Sequence, residues 1–67
     1  MIEIKLNGKP VQLPSEQDVS SFVAELGVPQ TGTAIAVNYT LIPRQNYETT
    51  ILHENDAVEI ITAAAGG

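Results

Sequence analysis

The residues best placed for chemistry are the last six, Thr62-Ala63-Ala64-Ala65-Gly66-Gly67. None is larger than threonine, and the only charge among them is the carboxylate that ends the chain at Gly67. Alanine favours helix, but so short a run cannot offset the cost of nucleation, and two adjacent glycines oppose it. The segment therefore reads as a flexible arm of residues 63–67 carried by a body of residues 1–62. Extended at about 3.3–3.6 Å per residue, the arm reaches roughly 17 Å. Gly66, Ala65 and Ala64 are slender enough to thread a narrow channel. A terminal carboxyl titrates near about 3.3–3.7, so at neutral pH it is an anion and a weak electrophile. Acyl transfer from it requires activation, and an enzyme that adenylates it must bring the tip to the α-phosphate of ATP. Two terminal glycines arise by chance in roughly one chain in 200 at average composition, so the rest of the chain has to support this reading.

No other group forms a reaction centre. His53 is the only histidine and lies in the polar run His53-Glu54-Asn55-Asp56. Glu54 and Asp56 read as turn residues, because no apolar pocket surrounds them to raise a carboxyl pKa. Ser20 and Ser21 fall on the expected outer side of a helix with no base to activate them. Gly27 and Gly32 are separate loop glycines and make no phosphate-binding loop. The absence of cysteine removes disulfides, thiolate metal sites and cysteine nucleophiles together. Any sulfur this chain carries cannot sit on a side-chain persulfide. A presentable carboxylate without catalytic groups of its own describes a substrate of other enzymes.

With 67 residues there is room for one small core, and a domain of this size buries only about 60% of its unfolded surface. The formal charge is −5, with Lys5, Lys9 and Arg44 as the only cations. Three scattered cations cannot neutralise a phosphate backbone, which argues against nucleic acid. The acidic balance favours steering toward a basic partner surface. No apolar run approaches membrane-spanning length, and no basic-then-apolar leader opens the chain. The expectation is an unprocessed cytoplasmic protein without a membrane partner.

The elements that must position the arm follow from periodicity. Ile2, Ile4 and Leu6 alternate with Glu3 and Lys5, the mark of a strand with one buried face. Asn7-Gly8 suits a type I′ hairpin turn, and Val11 and Leu13 mark the return strand. Pro10 lacks a backbone donor and assigns that strand to an edge. Asp18 caps a helix of about eight residues whose apolar stripe is Val19, Phe22, Val23 and Leu26, with Gly27 at C′ and Pro29 beyond. Full burial of Phe22 and of Leu26 would each contribute roughly 1.5–3 kcal/mol. Residues 30–33 read as a loop and Ala34–Val37 as a strand flanked on both sides. Asn38–Thr40 turns into Leu41-Ile42, Arg44–Tyr47 forms a turn, and a short strand lies around Thr50–Leu52. In the last strand, Ala57–Ile61, Val58 and Ile60 face inward. Glu59 and Ile61 face out, which makes Ile61 a docking candidate at the root of the arm. Hairpin, helix and further strands compose an α+β roll, a mixed sheet of about five strands with one helix on one face, its first and last strands central.

In that order the pieces resemble the ubiquitin-like β-grasp sulfur carriers, and within them the ThiS family of thiamine biosynthesis. The resemblance spans nearly the whole chain. It rests on residues 1–6 followed by Asn7-Gly8, on Asp18-Val19, and on Ala36-Val37-Asn38 leading to Ile42-Pro43-Arg44 with Tyr47 behind. Asn55-Asp56 before the last strand and the closing Gly66-Gly67 complete it. It implies that an E1-like enzyme using ATP and magnesium adenylates Gly67, and that the chain itself binds no cofactor. Sulfur supplied through a cysteine desulfurase would then give a thiocarboxylate, which thiazole synthase would consume. The recurrent Pro-Arg feature makes Arg44 a second docking candidate. The small subunit of molybdopterin synthase shares the fold and the ending, and a ubiquitin-like modifier or a non-covalent interaction module are further alternatives.

Overall fold

The computed structural model describes residues 1–29 and 32–62. Part of the expected 30–33 loop and the whole arm, with Ala64, Ala65, Gly66 and Gly67, lie outside the described residues. Strands β1 (Ile2–Leu6) and β2 (Lys9–Leu13) form the expected hairpin, with Ile4 opposite Val11. Asn7 and Gly8 have φ of 50° and 83°, as a two-residue I′ turn demands.

Helix α1 (Val19–Leu26) begins where Asp18, in extended conformation, accepts a 3.0 Å hydrogen bond from the Ser21 backbone N–H. Gly27 ends it in the left-handed region at φ 73°, its N–H donating to the Val23 and Ala24 carbonyls. Strands β4 (Thr33–Val37) and β5 (Thr40–Ile42) make a second hairpin through Asn38 and Tyr39. A 3₁₀ turn at Arg44–Asn46 follows, then β6 (Ile51–Leu52) and β7 (Ala57–Thr62).

The main sheet has the order β2-β1-β7-β4-β5. Pro10 thus lies on an edge strand, and β7 is central, parallel to β1 and antiparallel to β4. This is the α+β roll anticipated from the pattern, and the β-grasp that the resemblance implies. One element was not anticipated. Gln17-Asp18 forms a short strand, β3, that pairs antiparallel with β6, using two polar residues that carry no alternation. The pairing ties the helix start to the segment after the 3₁₀ turn, and Val19 N–H donates to the Thr50 carbonyl at 2.9 Å.

The core lies between helix and sheet. Val19, Phe22 and Val23 pack with Ile4, Leu13, Ile35, Val37, Leu52 and Val58. Leu26 departs from expectation, being 38% exposed instead of fully buried. It occupies the last helical turn, where the chain leaves the sheet through Gly27. The stripe rule identifies the face but not how far the sheet beneath extends. Phe22→Ala is expected to cost about 3–5 kcal/mol and Leu26→Ala about 1 kcal/mol or less, measured by urea unfolding. The Asp18 carboxyl is held below its usual value, first by the Ser21 hydroxyl and then by the Ser21 N–H. A depressed carboxylate stabilises the fold above its unfolded pKa of about 3.9, and this is lost as pH falls through the folded value. Asp18→Ala should therefore lower the urea midpoint at pH 7, with the deficit narrowing below about pH 4.

Candidate functional site

Strand β7 delivers the chain to the arm, so its fixation determines where the arm departs. Val58 is 1% exposed and Ile60 half-buried on the helix side, while Glu59 and Ile61 face outward as alternation requires. Two asparagines clamp the strand at points where ordinary ladder bonds leave gaps. The Asn7 side chain accepts from Ile60 N–H at 2.9 Å and donates to the Ile60 carbonyl at 3.5 Å. Asn38 accepts from Ala57 N–H at 3.0 Å through Oδ1, and its backbone N–H donates to the Ala57 carbonyl at 2.7 Å. Its Nδ2 donates to Asp56 Oδ1 at 3.0 Å. Each asparagine thus serves both as a left-handed turn residue and as a brace for β7. The sequence reading found the turns and missed the braces, because the braced partners lie 53 and 19 residues away.

The 53–56 segment is turn chemistry, as expected. Asp56 accepts from His53 N–H at 2.8 Å, and Asn55 takes φ 72°. His53 is a solvated side chain 3.9 Å from both Glu16 and Asp56 carboxylates. Among the described residues no group of histidine and acidic side chains could hold a metal ion. Ser21 spends its hydroxyl on Asp18 at 2.8 Å, and Ser20 is half-buried rather than on the outer side, its N–H donating to the Tyr47 carbonyl at 3.1 Å.

Ile61 is 56% exposed on the sheet face opposite the helix. The register sets Ala34 beside it, and Ala36 between Glu59 and Leu41. Leu41 is 63% exposed. An apolar strip of Ile61, Ala34, Ala36 and Leu41 therefore begins at the root of the arm and crosses to the β5 edge. Leu41 was missed as a site residue, though its alternation with the inward Ile42 carried the signal. Arg44 is exposed at the start of the 3₁₀ turn beyond β5. No described helix is long and apolar enough to cross a membrane.

A five-strand mixed sheet grasping one helix, with its central strand running out to a side-chain-poor end, defines a β-grasp carrier body. Residues 4–67 match the ThiS family, and the chain belongs to that family. The sulfur carrier protein ThiS of Escherichia coli (strain K12) is 27% identical over 66 residues, covering 98% of this chain and 100% of that protein. The uncharacterized protein ycf40 of Porphyra purpurea is 32% identical over 66 residues, 98% of this chain and 93% of that one. In structure, the chain is similar to the crystal structure of the thiamine biosynthesis protein ThiS from Geobacter metallireducens. The TM-score is 0.85 at 25% identity, over 98% of this chain and all of that one. A solution structure of a thiamine biosynthesis protein from the same organism gives 0.82 at 26% identity over 98% and 88%. Members of the family are small ubiquitin-like sulfur carriers and not catalysts themselves.

The Asn7 brace yields a separable test. Asn7→Gly keeps the left-handed turn but removes both side-chain bonds to Ile60. Amide exchange at Ile60 should accelerate by about tenfold while Val58 stays protected.

Proposed function

We propose that this chain carries sulfur as a thiocarboxylate at Gly67 for thiazole formation in thiamine biosynthesis. In this scheme an E1-like enzyme with ATP and magnesium transfers an adenylyl group to the Gly67 carboxylate, releasing pyrophosphate. A sulfur nucleophile ultimately derived from cysteine through a desulfurase attacks the acyl-adenylate, AMP leaves, and the carbonyl keeps sulfur in place of one oxygen. Thiazole synthase accepts the loaded carrier, and the whole cycle runs in the cytoplasm.

The observation that carries this reading is the family match running through residue 67, so that it includes Gly66-Gly67 as well as the folded body. The chemistry agrees with it. The chain has no cysteine to hold a persulfide, and a thiocarboxylate is the form of sulfur that a bare terminus can carry. A weak electrophile such as a carboxylate reaches that form only through an activated acyl group, which explains the dependence on ATP. In the docked state Ile61 and the apolar strip beginning at it meet the partner beside the entrance of the channel, with Ala64, Ala65 and Gly66 inside it. Arg44 contacts the same partner from beyond β5.

The test is intact mass after incubation with ATP, magnesium, the activating enzyme and a sulfur donor. The expected result is a rise equal to exchange of one oxygen for sulfur, located at Gly67 by fragmentation. Deleting Gly67, or adding one bulky residue after it, should abolish the shift and leave the melting curve unchanged. A mass that never changes with the wild-type chain rejects the proposal.

A further inference from the structure

Tyr39 occupies an expensive position without an internal reward. At φ 68° it lies in the left-handed region, which favours glycine and is strained for a bulky side chain. Its position is the second of a two-residue I′ turn, where glycine is the usual occupant. Asn38, the first, is fixed by its bonds to Ala57 and Asp56. Among the described residues Tyr39 has no comparable anchorage, and 86% of its surface is exposed. Strain retained at an exposed aromatic points to a contact outside the chain.

The surroundings say what kind of contact. Tyr39 borders a shallow groove of about 360 Å³ on the outer face of the sheet, lined also by Lys5, Gly8, Ala57, Val58 and Glu59. Lys5 is turned to Glu3, its Nζ 3.2 Å from the carboxylate. Glu59 makes no ion pair among the described residues. The groove thus combines a floor of Gly8, Ala57 and Val58, an open aromatic ring and the Glu59 carboxylate, with the Lys5 ammonium at its margin paired to Glu3. A planar guanidinium satisfies these together, stacking flat on the ring while its N–H fork meets the carboxylate; a lysine ammonium is also drawn to a ring face but has neither the flat surface nor the fork to engage both at once. The chain's charge of −5 favours a basic partner and disfavours a second copy of itself. Glu59 and Ile61 share the outward face of β7, so the groove continues into the strip at the root of the arm.

We infer that the groove between Tyr39 and Glu59 seats an arginine side chain of the activating enzyme. The inference rests on the carrier reading and adds a specificity contact to it. Because the cost is borne in the free chain and the return comes on docking, removing the ring moves stability and binding in opposite directions.

The experiment measures the affinity of the full chain for the activating enzyme by titration calorimetry, together with the Tm of each free variant. Tyr39→Gly should raise Tm by a few degrees through relief of the turn, and weaken binding about tenfold. Tyr39→Phe, which keeps the ring face, should bind as wild type. Glu59→Gln should weaken binding about tenfold with Tm unchanged. Undiminished binding of Tyr39→Gly, in a wild-type background that does acquire sulfur, overturns this inference and leaves the carrier reading standing. A wild-type chain that is never thiocarboxylated overturns both. Self-association that disappears in Tyr39→Gly assigns the groove to a second copy and overturns it as well.

Discussion

The placement of β7 between β1 and β4 is the constraint on which the rest of the molecule depends. This strand comes last in sequence yet lies in the middle of the sheet, parallel to the first strand and antiparallel to the fourth. Its start is flanked by both neighbours, Ala57 and Val58 lying beside β1; beyond Val58 the ladder continues along β4 to Thr62, with the Asn7 side chain holding Ile60 on the other edge. Val58 adds a side chain fully removed from water on the helix side. The strand is thus held on a defined course as far as Thr62. Under the proposed function, in which the terminal carbonyl is handled by other proteins, a firm root limits the volume that the tip has to search.

The two asparagines extend this control to both ends of the strand. Asn7 bonds the Ile60 amide and carbonyl, and Asn38 bonds those of Ala57. Backbone groups that would otherwise face water or lack a ladder partner are satisfied by residues already held by turn geometry, three of the four bonds through an asparagine side chain and that to the Ala57 carbonyl through the Asn38 backbone N–H. Both residues occupy φ values near 50°, which asparagine tolerates better than most residues. One residue type therefore meets two demands, a reversal of the chain and a lock on a distant strand. Tyr39 meets only the first of these, and does so poorly. Its exposure fits the docking groove inferred above.

The two faces of the sheet divide the labour. The inner face, with Ile4, Ile35 and Val58, holds the helix and supplies stability. The outer face carries Ile61, Leu41, Glu59 and Tyr39 exposed to solvent. In so small a domain little surface can be spared from the core. The docking surface proposed above accordingly uses the face that the helix does not cover, together with the arm.

Much of this protein is legible in its order of residues because the governing interactions are local. Alternation over residues 2–6 and 57–61 identifies strands and their buried faces, Asn7-Gly8 a turn, and Asp18 with Gly27 the limits of the helix. Each depends on residues within a few positions of one another. Pro10 excludes its strand from the sheet centre for want of a backbone donor. Together with Gly66-Gly67, these signals carry the resemblance to the sulfur-carrier family. Other features depend on residues far apart in the chain, and only the tertiary structure decides them. The pairing of Gln17-Asp18 with β6 has no pattern of its own, and the partial exposure of Leu26 reflects where the sheet beneath it ends. The braces from Asn7 and Asn38 to β7, and the meeting of Tyr39 with Glu59, exist only once strands distant in sequence have come together. Period and turn chemistry report what a segment does by itself, while long-range hydrogen bonds and shared surfaces are properties of the assembled sheet.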